Sequence, residues 1–222
     1  MRMVPVEIKI RKNKMPDFEI ENKYSGFVAG VDEAGRGPWA GPVVAGAAVI
    51  LDRNLPEELL NGLDDSKKLS AAKREKLYNL LYEQEKLGKV KLSVGEAGCE
   101  EIDSLNILQA TFLAMKRAVD GLGIRPQAAI IDGNQKPRDF PVASETVVKG
   151  DGKSYSIAAA SIIAKVFRDR YMQKLAEKYP YYGFEKNAGY GTKAHIQGLA
   201  GHGAVPGVHR FSYRPVRELL QK

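Results

Sequence analysis

Four acidic residues stand where the chain is expected to leave a buried strand. An apolar run leads up to each site and a glycine follows closely. The acids are Asp32, Glu33, Asp132 and Asp151. Ligands bind and catalytic residues lie at the strand ends of α/β sheets. This pattern therefore makes the four carboxylates the first candidates for a functional site.

Carboxylates at the ends of buried strands predict a site for hard cations. An acid reached through a buried strand needs a cation or hydrogen-bond donors to offset its desolvation. Mg²⁺ and Mn²⁺ prefer carboxylate oxygens as ligands. Four carboxylates can hold two such ions about 4 Å apart, one activating water and one stabilising a leaving oxygen. That chemistry suits hydrolysis of a phosphodiester without a protein nucleophile.

A simpler interpretation of these acids stays open, because acids after strands are often turn residues or helix caps. Neighbouring residues on a strand also point to opposite faces. Asp32 and Glu33 can therefore share a metal site only if the strand bends or ends there. Gly35 and Gly37 permit such a bend.

The turn Gly35-Arg36-Gly37 superficially resembles a dinucleotide-binding loop. That loop requires a helix directly after it, whereas residues 42–51 form a run of small and β-branched residues typical of a buried strand. Glycines would also let the backbone approach a nucleic-acid sugar closely enough to test for a 2′-hydroxyl. A tight turn with an ordinary surface arginine is the competing interpretation.

Composition limits the class of protein. The chain has 222 residues, of which 44% are hydrophobic and 27% charged, as expected for a soluble globular protein. Its apolar runs are shorter than the roughly 18–20 residues of a membrane span. The net charge of +7 favours a polyanionic partner. A single cysteine, Cys99, excludes an intrachain disulfide and favours the cytoplasm.

Alternating strand and helix patterns predict an α/β fold in which helices pack on a mixed sheet. The expected strands cover residues 26–33, 42–51, 89–95, 128–132 and 142–148. The expected helices begin after Ser70 and cover residues 104–120 and 154–179. We divide the chain into a basic N-terminal arm (1–24), a catalytic domain (25–180) and a C-terminal extension (181–222). The extension is rich in Gly, Tyr, His and Arg and weakly periodic, so we do not expect an independent domain.

Two groups outside the acids could also bind a ligand. Lys67 and Lys68 precede the helix that Ser70 is expected to cap, which suits a phosphate, although a solvated basic pair is as common. His195, His202 and His209 recur every seven residues, but glycines and prolines between them break any helix that could align them. A zinc site is therefore not expected there.

Taken together, these motifs resemble the ribonuclease HII family of type 2 ribonucleases H. The matching blocks follow the family's order over about residues 31–216. They are residues 31–38, 41–43, 65–70, 131–134, 149–151, 158–166, 168–169, 187, 189–192 and 209–210. Two departures, Phe211-Ser212-Tyr213 in place of a more basic segment and Gly198 in place of alanine, affect the expected grip on substrate rather than the chemistry.

The resemblance implies a ribonuclease H-like fold with a mixed central sheet flanked by helices and a small helical C-terminal extension. It also implies that the four acids are the catalytic residues and hold two Mg²⁺ or Mn²⁺ ions. On this basis the enzyme hydrolyses the RNA strand of RNA/DNA hybrids and nicks 5′ of single ribonucleotides in duplex DNA, leaving 5′-phosphate and 3′-hydroxyl ends. The expected protein is a monomer, and a contact with a replication clamp cannot be read from the sequence.

The resemblance further assigns residues to the substrate. Gly35, Arg36 and Gly37 would read the 2′-hydroxyl on the 5′ side of an RNA–DNA junction, and Tyr190 would pack under the next sugar. The remaining expected substrate contacts are Lys67, Lys68 and Asn134.

Two other functional classes remain as alternatives. One is a non-catalytic hybrid-binding protein, which would not require four carboxylates. The other is a DNA recombination enzyme of the same fold, which would cut all-DNA junctions.

Overall fold

A five-stranded mixed sheet lies at the centre of the computed structural model, which describes residues 15–64, 66 and 69–220. The strands are β1 (Val28–Ala34), β2 (Val43–Ile50), β3 (Val90–Ala97), β4 (Ala128–Asp132) and β5 (Ala143–Val147). Their order is β3-β2-β1-β4-β5, with antiparallel pairing from β3 to β1 and parallel pairing from β1 to β5. The predicted mixed sheet is confirmed.

Helices cover both faces of this sheet. They are α1 (Glu57–Gly62), α2 (Ala71–Lys86), α3 (Cys99–Leu105), α4 (Ile107–Asp120), α5 (Tyr155–Lys178), α6 (Phe184–Asn187), α7 (Lys193–His202) and α8 (Arg214–Leu220). On β1, Ala29 and Val31 belong to the core formed with α4, whereas Val28 packs against Ile157 of α5. This alternation follows from the two-residue period of a strand. None of the described helices is long and apolar enough to cross a membrane.

Parallel pairing aligns the ends of β1 and β4. Val31 lies opposite Ile131 in the register, so Asp32 and Asp132 are the next residues on adjacent strands. Asp132 in turn pairs with Val147 at the end of β5. A short 3₁₀ helix, Gly150–Gly152, follows β5 and carries Asp151. The topology therefore brings three of the predicted acids to one edge of the sheet.

Small residues allow α5 to lie very close to the sheet. A Cβ atom on Gly30 would lie 2.1 Å from the carbonyl carbon of Ser156, and one on Gly46 would lie 2.3 Å from the carbonyl oxygen of Ala160. The facing side of α5 is a run of fully buried alanines that includes Ala159 and Ala160. The run of small residues in β2 is therefore a packing requirement of α5.

The helix predicted for residues 104–120 is wrong at its start. Asn106 has φ 70° and ψ 161°, which ends α3 and begins α4 at Ile107. The Asn106 side chain accepts hydrogen bonds from the backbone N–H groups of Leu108 and Gln109. An Asn side chain that caps a new helix competes with continuation of the old one, and the apolar spacing across the break conceals this. By contrast, the predicted cap at Ser70 is confirmed by its hydrogen bond from the Lys73 N–H.

The C-terminal helices pack onto the end of α5. Tyr182, Phe184 and Leu199 form a buried hydrophobic cluster with Met172 of α5 and Ala40 of the turn after β1. The Tyr182 hydroxyl donates to the carbonyl oxygen of Gly203, which joins α7 to the same cluster. Packing is thus the role of Tyr182 in this structure.

We predict that Gly46→Ala destabilises the protein, because the added methyl group collides with the α5 backbone. The expected loss in the free energy of unfolding is about 1–3 kcal/mol. Gly98→Ala is the matched control, since a Cβ atom there meets no atom within 4 Å, and it should change stability by less than about 0.5 kcal/mol. Urea unfolding followed by circular dichroism measures both. Equal midpoints for the two variants would contradict the close approach of α5.

Candidate active site

The carboxylates of Asp32, Asp132 and Asp151 converge at the edge of the sheet. One ligand oxygen from each lies within 4.8 Å of the other two. The residues Asp32 and Asp151 are only 3% and 7% exposed, and Asp132 is half-buried. Acids used merely as turn residues would point into solvent, so the structure favours a functional cluster.

Backbone N–H groups hold each of these carboxylates. Asp32 Oδ1 accepts from the Glu33 N–H at 2.7 Å and Asp151 Oδ1 from the Gly152 N–H at 2.9 Å. Asp132 Oδ1 accepts from the Gly150 N–H at 2.6 Å, which ties the end of β4 to the 3₁₀ helix of Asp151. These hydrogen bonds preset the orientation of the acids.

Burial makes ionisation of Asp32 unfavourable. Desolvation raises the pKa of the Asp32 carboxyl well above its usual range, and the neighbouring charges of Glu33 and Asp132 raise it further. Hydrogen bonds from the Ser161 hydroxyl and the Glu33 N–H partly oppose that increase. A bound divalent cation would stabilise the ionised form, and an all-oxygen donor set suits Mg²⁺ or Mn²⁺. The residues present therefore fit a hard cation.

A pair of buried serines stands behind Asp32. Ser161 of α5 hydrogen-bonds Asp32, and its Oγ lies 2.8 Å from the Oγ of Ser66. Both serines are less than 5% exposed. Sequence reasoning missed this pair because a serine in a helix or loop gives no sign of what its hydroxyl contacts.

Glu33 is not one of the three acids whose ligand oxygens lie within 4.8 Å of one another. It follows Asp32 on the strand, and its Oε1 is 3.5 Å from Nη1 of Arg36. Glu33 is still close enough for its charge to act on Asp32. Its place among the metal ligands stays a prediction.

The Gly35-Arg36-Gly37 turn and Tyr190 lie side by side. A Cβ atom on Gly37 would lie 3.3 Å from Cε1 of Tyr190, a residue that is 53% exposed. Gly35 has φ +95°, and a Cβ atom there would lie 2.0 Å from Nε of Arg168. Only glycine fits at position 35, for both reasons.

A buried pair of histidines supports the backbone at Tyr190. His209 Nδ1 accepts from the Val205 N–H at 2.9 Å, so the proton of the neutral ring is on Nε2. That Nε2 lies 3.1 Å from Nε2 of His195, which then donates from Nδ1 to the Tyr190 carbonyl oxygen at 3.1 Å. The intervals of seven gave no indication of this pairing, because the contact depends on the turns between the histidines.

The other predicted substrate residues are less constrained. Asn134 is exposed two residues after Asp132, near the same edge of the sheet. Lys67 and Lys68 lie outside the described residues. Asp169, which follows Arg168 in α5, forms an ion pair with Lys165 one helical turn earlier and lies 3.6 Å from Arg74. The contact with Arg74 joins α5 to α2, so the role of Asp169 in this structure is structural.

A mixed sheet with buried carboxylates on adjacent strand ends defines a hydrolase of the ribonuclease H-like fold. The sequence matches the Ribonuclease HII family over residues 29–216, and the chain belongs to that family. A ribonuclease HII of Shewanella pealeana is 58% identical over 88% of this chain and 91% of its own length, and one of Jannaschia sp. is 54% identical over 92% and 98%.

A solved structure agrees with this assignment. The crystal structure of ribonuclease H2 from Pyrococcus horikoshii matches with a TM-score of 0.69 and 31% identity, covering 88% of this chain and 97% of the other. The ribonuclease H-like fold and ribonuclease H class implied by the resemblance are therefore confirmed.

The buried histidine pair predicts a pH dependence of stability. Desolvation and the adjacent His195 lower the pKa of His209 to about 4, whereas an unfolded histidine titrates near about 6.5. Between these values the unfolded chain binds a proton that the folded chain does not. The contribution of His209 to the free energy of unfolding should therefore fall as the pH drops from 6.5 to 4, by at most about 1.4 kcal/mol per pH unit.

Urea unfolding of the wild type, His209→Gln and His202→Gln at several pH values tests this dependence. His202 is exposed and stacks on Tyr181, so its variant should keep the wild-type slope, whereas His209→Gln should flatten it. Identical slopes in all three proteins would show that the buried pair does not titrate as described.

Proposed function

We propose that this chain hydrolyses the RNA strand of RNA/DNA hybrids and nicks duplex DNA on the 5′ side of an embedded ribonucleotide. The observation that carries this proposal is the position of the carboxylate cluster. Asp32 lies three residues before Gly35, and the turn at Gly35 adjoins Tyr190. A cleavage site and a candidate surface for testing a sugar are thus adjacent on one sheet edge.

Asp32, Asp132 and Asp151, together with Glu33, would hold two divalent ions, Mg²⁺ or Mn²⁺. Bound ions of this kind lower the pKa of water and stabilise negative charge on a leaving oxygen. The products then carry 5′-phosphate and 3′-hydroxyl ends. No nucleophilic side chain is required for this reaction.

The protein's own groups position these carboxylates. The N–H groups of Glu33, Gly150 and Gly152 each hold one carboxylate oxygen, and the Ser161 hydroxyl orients Asp32. Because the donors are already in place before substrate binds, little reorganisation is needed during the reaction.

The turn at Gly35-Arg36-Gly37 would read the ribose 2′-hydroxyl through its backbone. Tyr190 would pack under the next sugar, where its ring tolerates a deoxyribose and crowds a ribose. Lys67, Lys68 and Asn134 would contact the nucleic-acid backbone, and the net charge of +7 suits that polyanion. The exposed ring of Tyr190 beside Gly37 supports this assignment.

We also infer a division of labour along the chain. Residues 25–180 would form the catalytic domain, 181–222 a substrate-binding extension, and 1–24 a basic arm. The position of Tyr190 beside Gly37 supports a shared substrate surface. We expect the enzyme to act as a monomer in the cytoplasm.

The proposal predicts metal-dependent nicking that requires Asp132. Wild-type protein with Mg²⁺ or Mn²⁺ should cut a duplex holding one ribonucleotide on its 5′ side, and should not cut an all-DNA duplex or act in EDTA. Asp132→Asn should lose at least about 10²-fold in turnover while still binding the duplex, because it removes a carboxylate and keeps the shape. Asp120→Asn, an exposed acid at the end of α4, is the matched control.

Gel analysis of the nicked strand, with binding measured by fluorescence anisotropy, separates the outcomes. Full activity of Asp132→Asn, or binding without any cleavage by the wild type, would replace the nuclease by a hybrid-binding protein. Cleavage of the all-DNA control would favour a recombination enzyme.

Gly37→Ala should impair junction nicking without unfolding the protein. The added methyl group would lie 3.3 Å from the Tyr190 ring, which is exposed enough to shift by a few tenths of an ångström. We expect kcat/KM for the single-ribonucleotide duplex to fall about tenfold, since small misplacements are costly. Gly201→Ala, where a Cβ atom meets nothing within 4 Å, should retain wild-type kcat/KM. Unchanged kinetics for Gly37→Ala would exclude close approach of a sugar at this position.

A further inference from the structure

Two arginines are fully buried without an ion-pair partner among the described residues. Arg168 is 2% exposed and Arg210 is 0% exposed. Their guanidinium groups donate mainly to backbone carbonyl oxygens around the Gly35-Arg36-Gly37 turn. Burying a charge without a counter-ion is costly, so this arrangement needs an explanation beyond packing.

Arg210 binds the inner side of the turn. Its Nη2 donates to the carbonyl oxygens of Gly35 at 2.6 Å and Gly41 at 2.8 Å, and its Nη1 donates to that of Arg36 at 3.0 Å. The Tyr213 hydroxyl donates to the same Arg36 oxygen at 2.6 Å. Both carbonyls of the turn thus point into the protein.

The N–H groups of these two peptide units point away from Arg210, toward the surface. In a trans peptide the N–H points away from the carbonyl of the same unit, and the described chain has no cis peptide bond. The N–H groups concerned belong to Arg36 and Gly37, which are both exposed. In the described part of the chain neither donates to another protein group. Two free donors are therefore presented beside Tyr190.

We propose that Arg210 is a positioning residue that aims the N–H groups of Arg36 and Gly37 at the 2′-oxygen of a ribose. The inference rests on the proposed function and names the groups that perform the reading. By holding the carbonyls inside, Arg210 turns a flexible glycine turn into a fixed pair of donors. A deoxyribose offers no acceptor at that place and leaves the donors unpaired, which is the basis of discrimination.

Arg168 holds the other end of the same loop. Its Nη2 and Nε donate to the carbonyl oxygens of Ala40 and Pro42 at 3.1 and 3.0 Å, and its Nη1 donates to Ala188 at 3.1 Å. Ala188 lies two residues before Tyr190, so Arg168 links the loop to the segment that carries the ring. This contact sets the separation between the two donors and the Tyr190 side chain.

Only arginine satisfies this geometry. Its planar guanidinium reaches several carbonyls at fixed angles, whereas a lysine ammonium is a single flexible point. Arg210→Lys therefore keeps the charge and removes the fork. A role in charge balance alone would tolerate that change, but a role in aiming the turn would not.

The test compares affinities for two duplexes that differ in one 2′-hydroxyl. Binding of the single-ribonucleotide duplex and the all-DNA duplex is measured by fluorescence anisotropy in Ca²⁺, with intact substrate checked on a gel afterwards. Discrimination is the dissociation constant of the all-DNA duplex divided by that of the single-ribonucleotide duplex. We expect Arg210→Lys to lower this ratio about tenfold, toward one, with less than about threefold change for the all-DNA duplex.

Two further variants keep the test decisive if Arg210→Lys folds poorly. Tyr213→Phe removes one hydrogen bond to the Arg36 carbonyl at a half-buried position, and should lower the ratio about threefold. Arg117→Lys is the matched control, because Arg117 of α4 donates to the Glu96 carbonyl and to Glu101 of α3, and not to the turn. It should keep the wild-type ratio.

The outcomes separate this inference from the proposed function. Equal weakening of both duplexes by Arg210→Lys and Tyr213→Phe, with the ratio preserved, would mean that these residues only stabilise the fold and would overturn the inference alone. A wild-type ratio of one would overturn the reading of a 2′-hydroxyl itself. A ratio that falls in both variants and holds in Arg117→Lys supports the positioning role.

Discussion

The concentration of negative charge at one edge of the sheet is the constraint on which this structure depends. Parallel pairing of β1 with β4 places Asp32 beside Asp132, and the turn after β5 adds Asp151. Burial and mutual repulsion both disfavour the ionised forms. The fold tolerates the cluster through backbone donors and the Ser161 hydroxyl, and a divalent cation would complete the compensation. Close packing of α5 on the small residues of the sheet brings Ser161 to Asp32.

Arg168 and Arg210 are also buried, yet no ion pair joins them to these acids among the described residues. Their guanidinium groups donate instead to backbone carbonyls of the turn and of the segment before Tyr190. The negative charge of the acids and the position of the turn thus depend on different groups. The His195–His209 pair extends the same support to the Tyr190 backbone through neutral rings.

Local patterns in the sequence predicted most elements, because strand alternation and helix periodicity depend on near neighbours. The main error, a helix continuous through Asn106, arose since apolar spacing persisted across a capping residue. The family resemblance predicted the fold class and the ribonuclease H activity. The acids at strand ends were found independently from their residue types, because a buried strand that ends in a carboxylate needs a specific compensation.

The sequence by itself determined the kinds of elements, the candidate acids and the glycines of the turn, all of which follow from local chemistry. Only the tertiary structure decided which of these residues meet. Strand register brought Asp132 to Asp32, and the turn after β5 brought Asp151 to both. Arg210 reaches Gly35 across 175 positions of chain. Contacts of that separation depend on how whole elements pack, and no local pattern encodes the partner.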